Sequence, residues 1–353
     1  MREYNDRAYT EEYEEYAQAP AVKKKGSFIK RLFIFLLVTA LMLFGVLQIF
    51  VFRCINKVTV NEKGERCFEN ATLASDSIFN LLVIGSDSRD PEQRGRTDAM
   101  ILLSIDKAHD RLTMTSFMRD SYVMLPEYDL DGDGTYYSEG DRCKLNAAYV
   151  YGGPELLMDT IGYNFDIRVD NYIYIDFYSF IDIIDAADGI ELDIDDEEVE
   201  AINVCIDAQN TLIGNPMGTD LLASGGKGIR VNGNQALGYA RMRAVGNADF
   251  QRTERQRTVI SRLLEKTKSS SILTIGRIAS AVASHTVTDL SKWELYKLSY
   301  RLPFIVRYER EQLRIPGKDE FSFGTGLDGS SVLSLDFEKV ISTLSRSIYG
   351  NED

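Results

Sequence analysis

FNLLVIGSDSR, residues 79–89, decides the fold. Residues 79–85 form a short apolar run ended by glycine, the pattern of a strand buried on both faces. The polar GSDSR that follows lies at the strand's end, where α/β proteins place their sites. Downstream, AMILLSID (99–106) and RLTMTSF (111–117) read as two further strands joined by the turn KAHD. NYIYIDF (171–177) is a fourth, and the apolar stretch 178–187 after it has helical character. Pro154 behind Gly152 and Gly153 suits the first turn of a helix through Leu156, Leu157 and Ile161. Ser291 and Glu294 match a capping box, Leu295, Leu298 and Leu302 share one face behind it, and Pro303 ends that helix. Residues 336–347 read as a last helix. Strands and helices interleave throughout, so the class is α/β, a central sheet covered by helices on both faces.

Upstream, residues 32–52 run 21 positions without a charge, enough for a helix to cross a hydrocarbon core of about 30 Å. That is longer than the apolar core of a signal peptide, and no small-residue cleavage site follows. Lys23, Lys24, Lys25, Lys30 and Arg31 precede it, against Arg53 and Lys57 behind. The excess puts the N-terminus in the cytoplasm and the C-terminal part outside the cell. The expected order is therefore a disordered tail (1–31), a transmembrane helix (32–52), an extracellular stem (53–77) and one extracellular domain (78–350).

With 40 Lys and Arg against 54 Asp and Glu among 353 residues, the net charge is −14, which argues against nucleic acid as a partner. His109 and His285 are the two histidines, too few for a histidine-rich zinc site. The spacing of Cys54 and Cys67 allows a disulfide, which would leave Cys143 with Cys205; four free thiols are the alternative.

Polar chemistry collects in a few places. Asp87 and Asp98 flank neighbouring strand ends, and two carboxylates are a protein's usual share of a Mg²⁺ site that also takes substrate phosphate. Ordinary turn chemistry would place the same residues there. Arg119 ends an apolar strand, and Lys144 with Asn146 opens KLNAAYVYGG. Between 241 and 257 stand five arginines and no lysine, namely Arg241, Arg243, Arg252, Arg255 and Arg257. A planar guanidinium grips phosphate oxygens with two bonds, so an all-arginine cluster points to an anion. Arg252 and Gln256 share a helical face. Arg241 and Arg243 point the same way only on extended chain, so a helix must end near Tyr239 if both serve one anion. Asp129, Asp131 and Asp133 open a calcium-type loop, but the position that needs Glu holds Gly140.

Taken in order, NLLVIGSDSR, GRTDAMILLSID, FMRDSYV, KLNAAYVYGG, YIYIDF, ALGYARMR and DFQRTERQR resemble the LytR-CpsA-Psr family of bacterial cell-envelope proteins. The resemblance implies a mixed central sheet between helices, with a long apolar pocket for a polyprenyl chain. It implies a Mg²⁺-dependent phosphotransferase that moves a glycan such as teichoic acid or capsule from a polyprenyl pyrophosphate carrier onto peptidoglycan at the cell membrane. Asp87 and Asp98 then match the metal carboxylates. Arg119, Arg241, Arg243 and Gln256 match the pyrophosphate grip, with Arg89, Lys144 and Arg252 around it. Asp87, Asp98 and Asp249 are the carboxylates able to take the acceptor's proton. A non-catalytic envelope regulator (the family's older label is transcriptional attenuator) or polyprenyl pyrophosphate sensor is the alternative, and a pyrophosphatase a third.

Overall fold

The computed structural model describes residues 26–68, 70–86, 97–129, 136–137, 141–245 and 249–350, in two compact units that divide after Phe50. Helix α1, Gly26–Ile55, forms the first, and its stretch Lys30–Ile55 is long and apolar enough to cross a membrane. It starts ahead of the expected Leu32 because Lys30 and Arg31 are good helix formers. Of the expected tail, residues 1–25 lie outside the described residues.

In chain order the second unit begins with β1 (Thr59–Val60), β2 (Ile78–Ser86), β3 (Thr97–Asp106), β4 (Arg111–Phe117) and β5 (Tyr122–Met124). The short β6 (Tyr128–Asp129), β7 (Tyr136–Tyr137) and β8 (Arg142–Lys144) lead into α2 (Leu145–Phe165), β9 (Asn171–Asp176) and α3 (Phe177–Ala186). Next come β10 (Ile190–Ile194), α4 (Asp196–Ile213), β11 (Gly226–Val231), α5 (Gly233–Arg241), α6 (Asp249–Ser269) and α7 (Ile272–His285). The chain closes with β12 (Val287–Thr288), α8 (Lys292–Ile305), β13 (Glu309–Ile315), β14 (Phe321–Thr325), β15 (Ser331–Leu335), α9 (Phe337–Leu344) and a π-turn.

Seven strands make one mixed sheet in the order β1-β12-β9-β2-β3-β4-β13. β9 is parallel to β2 and β13 to β4, while β3 is antiparallel to both neighbours. The period of two along β3 sorts its side chains between two cores. Met100 and Leu102 join Leu82, Ile84, Phe117 and Tyr172 under α2 and α9. Ile101, Leu103 and Ile105 join Leu112 and Met114 under α6 and α8. Helices therefore cover both faces, as the unbroken apolar runs require. A third cluster lies among α3, β10, β11, α4 and α5, with Val259 of α6.

Local chemistry sets the helix ends. Gly152 and Gly153 leave helical geometry inside α2, Gly153 with φ 70°, so Pro154 opens the second segment as expected. The Ser291–Glu294 capping box starts α8, but Pro303 sits within its last turn rather than ending it. Asp195 and Glu198 box the start of α4, an element the sequence pattern did not announce.

The segment read as a stem, 53–77, belongs to the folded unit. Thr59 and Val60 pair with β12, and Leu73 is buried and bridges Ile167. Two β-branched residues suffice for an edge strand even in polar surroundings. Arg66 donates to the fully buried Asp159, which also accepts from the Cys67 amide at 2.7 Å and the Cys67 thiol at 3.1 Å. Burial and the hydrogen bond to Asp159 push that thiol up to about 12. The four cysteines are free, so the pairing of Cys54 with Cys67 and Cys143 with Cys205 is not formed. Cys67 faces Asp159, Cys143 packs on the core under α2, and Cys205 on the third cluster.

Removing one partner of a buried ion pair strands the other. Asp159→Ala should cost about 3–5 kcal/mol, seen as a lowered Tm of the detergent-solubilised chain. A melting curve like that of the wild type would show that the segment is not clamped there.

Candidate functional site

Three chain segments meet at one end of the sheet. Ser86 pairs with Thr97, so β3 delivers Asp98 beside the point where β2 ends. Met118 binds back to Ile315, and Arg119 and Asp120 follow it out of the sheet. From the other side α5 ends at Arg241, the buried Met242 turns to extended geometry (φ −61°, ψ 132°), and Arg243 follows. The helix thus ends two residues beyond the expected Tyr239, and the bend at Met242 still brings both arginines to one pocket. α6 then starts with Asp249 and presents Arg252 and Gln256 from one face.

Asp98 is the centre of this arrangement. It accepts from Arg119 Nη1 at 2.7 Å and from Arg243 Nη2 at 3.2 Å, and lies 3.5 Å from Arg252 Nη1. Asp249 meets the same three guanidiniums, Arg119 at 3.2 Å, Arg252 at 3.2 Å and Arg243 at 3.4 Å. Arg119 continues to Asp120 at 3.4 Å, and Asp120 accepts from Lys144 Nζ at 2.8 Å. Burial opposes the charge of Arg119, but Asp249, Asp98 and Asp120 outweigh it and hold the guanidinium above its ordinary range. Arg252 is 2% exposed and sits between the two carboxylates.

A half-open pocket of about 470 Å³ begins here. Asp98, Arg241, Arg243, Arg252 and Gln256 line one side; Ala201, Val204, Cys205 and Ala208 of α4 line the other. Burial raises the Cys205 thiol against the pull of Arg241, Arg243 and Arg255. One end of the pocket suits a phosphate anion and the other a hydrocarbon.

The sequence-selected residues divide clearly. Asp98, Arg119, Lys144, Arg241, Arg243, Arg252 and Gln256 are gathered at the site. Asp87 and Arg89 lie outside the described residues, as do Asp131 and Asp133 and the side chain of Asp129. Arg255 and Arg257 turn away. Arg255 bonds Glu198 at 2.6 Å and the Met242 carbonyl at 3.2 Å, fixing the bend that carries Arg243. Arg257 is buried beside Gln312, and desolvation lowers it to about 10. Asp120 and the wall of α4 were not singled out, and Asp249 only as a proton acceptor. The signal for Asp249 was its place three residues before Arg252 on one helix.

Hard oxygen donors suit a magnesium ion. Among the described residues no group of three or more His, Cys, Asp or Glu is placed to hold a metal by itself. Asp98 and Asp249 share three cationic neighbours, and Asp249 Oδ1 is buried without a hydrogen bond. Asp249 Oδ1 faces the Arg252 and Arg243 guanidiniums at 3.2 and 3.4 Å, so the two carboxylates fit an ion only as part of a set whose remaining ligands come from substrate and water.

Residues 51–346 match the model of the LytR_cpsA_psr family. The Enterococcus faecalis protein named polyisoprenyl-teichoic acid--peptidoglycan teichoic acid transferase TagU is 31% identical over 245 residues, 68% of this chain and 71% of the relative. Regulatory protein MsrR of Staphylococcus aureus is 27% identical over 269 residues, 74% of this chain and 72% of the relative. The crystal structure of gbs0355 from Streptococcus agalactiae superposes with a TM-score of 0.63 at 26% identity, covering 78% of this chain and 90% of the other. The seven motifs, the mixed sheet and these likenesses agree: the chain belongs to the LytR_cpsA_psr family.

Proposed function

We propose that the chain is a membrane-anchored phosphotransferase that moves a glycopolymer from a polyprenyl pyrophosphate carrier onto peptidoglycan. α1 is the anchor, with the N-terminus cytoplasmic and the 51–353 unit extracellular. The observation that carries this reading is the cluster of Arg119, Arg243 and Arg252 on Asp98 and Asp249 beside a pocket that Ala201, Val204, Cys205 and Ala208 of α4 also line. Among the described residues of the site, five cations (Arg119, Lys144, Arg241, Arg243 and Arg252) stand against three carboxylates (Asp98, Asp120 and Asp249), two positive charges net. A pyrophosphate diester carries two negative ones.

The acceptor sugar's hydroxyl oxygen attacks the phosphorus that bears the glycan. The bond from that phosphorus to the bridging oxygen breaks, and polyprenyl phosphate leaves with the electron pair. A site carboxylate takes the hydroxyl proton. Arg119, Arg243 and Arg252 meet the charge that grows on the leaving phosphate without reacting themselves. As the anion arrives these arginines exchange carboxylate partners for phosphate, which frees oxygens of Asp98 and Asp249. With Asp87, those carboxylates would hold Mg²⁺, which supplies further positive charge to the phosphates when bound. The name of TagU fits this donor and acceptor, while that of MsrR fits the regulatory alternative. A pure sensor has no need of carboxylates facing the anion grip.

Arg243 is 41% exposed, so Arg243→Ala should leave Tm nearly unchanged while transfer falls about 10²–10³-fold, as for loss of one charge-stabilising donor. Transfer from a lipid-linked glycan to peptidoglycan is the assay, and retained activity would remove Arg243 from the grip. Arg255→Ala should do the reverse of that separation. It strands Glu198 and frees the Met242 bend, so stability drops by about 3 kcal/mol or more and activity falls with it. Asp98→Asn should flatten the response of transfer to added Mg²⁺ after chelation; an unaltered magnesium titration would take Asp98 out of the metal site.

A further inference from the structure

Helix α8 has two unlike faces. Leu298 and Ile305 join the core with Ile101 and Met114. On the other side Trp293, Lys297, Tyr300 and Phe304 recur at steps of four, three and four, one helical stripe. All four are exposed, Trp293 by 64% and Phe304 by 62%. Tyr296 connects them: its ring lies 5.4 Å from that of Trp293 and 5.0 Å from that of Tyr300. The Lys297 ammonium stands 5.8 Å over the Trp293 ring. A continuous aromatic stripe in water marks an interaction surface rather than scattered exposure.

The helix itself is basic in a chain of net charge −14. Lys292, Lys297, Arg301 and Arg307 are exposed, and Glu294, the one acid on α8, is used by the cap at Ser291 and by Lys63. Position selects the occupant. The apolar α1 ends at Ile55, and Asn56, the next residue, accepts from Lys292 Nζ at 3.1 Å. Lys57 Nζ donates to Ser280 of α7 at 2.7 Å, and the Thr59 amide to the Thr286 carbonyl at 3.0 Å. The start of α8 is therefore tied to the residues that leave the apolar span. Rings interleaved with Lys and Arg are the composition of helices that lie in a membrane interface.

We propose that the face of α8 from Trp293 to Phe304 docks on the bilayer surface among anionic headgroups, a second attachment besides α1. The rings sit at the boundary of headgroups and acyl chains, while Lys297 and Arg301 meet phosphate. This needs only that α1 spans the membrane and is independent of the transferase reading.

Trp293 is the chain's one tryptophan, so fluorescence of the full chain reports this face alone. The protein is reconstituted in phosphatidylcholine vesicles with or without phosphatidylglycerol, with brominated acyl chains as quencher. The expected result is Trp293 emission reduced about twofold or more by brominated lipid in anionic vesicles, with matching protection from acrylamide. Lys297→Glu combined with Arg301→Glu should return both readouts to the unprotected level. Emission untouched by brominated lipid and open to acrylamide would overturn the proposal. So would protection that vanishes as protein is diluted in lipid, which marks a second copy as the occupant, or quenching indifferent to the double substitution.

Discussion

A guanidinium with almost no access to water cannot stand alone, and Arg252 obliges the molecule to bring two carboxylates to it. One, Asp98, comes from the start of a sheet strand; the other, Asp249, from the first turn of the helix that carries Arg252. Satisfying that buried charge locks the N-terminal end of α6 to the end of a central strand of the sheet. Arg119 and Arg243 then bind to the same two carboxylates, so the loop after β4 and the arm after α5 are positioned by the same pair of anions. The site is a by-product of neutralising one buried arginine.

Such a site holds its cations ready without leaving them unpaired. Arg119, Arg243 and Arg252 each keep a carboxylate near 3 Å, and an arriving anion substitutes for a partner already present. The cost of ordering five long side chains falls on folding rather than on binding. α4 contributes by what it lacks: Ala201, Val204 and Ala208 offer no competing polar group on the opposite wall.

Legibility in the sequence followed the strength of the local pattern. The runs at 79–85, 99–106 and 111–117 are apolar without interruption because both their faces are covered, and they were read within a residue or two of their ends. The third cluster was missed. Its strands β10 and β11 are short and half exposed, and its helix α4 opens with Asp195, Asp196, Glu197 and Glu198, which look like a solvated charge run although two of them form a cap. The arginines show a sharper limit. Arg252, Arg255 and Arg257 are the same residue type on one helix, and direction alone makes the first part of the site and the others struts. Direction depends on what the helix packs against, and Glu198 and Gln312, the side-chain partners of Arg255 and Arg257, come from segments more than fifty positions away. Edge pairing of Thr59 and Val60 was hidden for the same reason, since their partner is β12.

α6 begins at the site and runs on between two separate cores, with Val259 and Leu263 in the cluster of α4 and α5 and Ile260 and Leu264 under the sheet. It behaves as a rod held at mid-length by apolar packing and at its tip by ion pairs. A methylene gained or lost in either core tilts the rod against those ion pairs. Interior replacements that leave every polar residue in place would therefore misalign Arg252 and Asp249 against Asp98. The volume of the hydrophobic interior along α6 is therefore part of what aims the guanidiniums at the charged mouth.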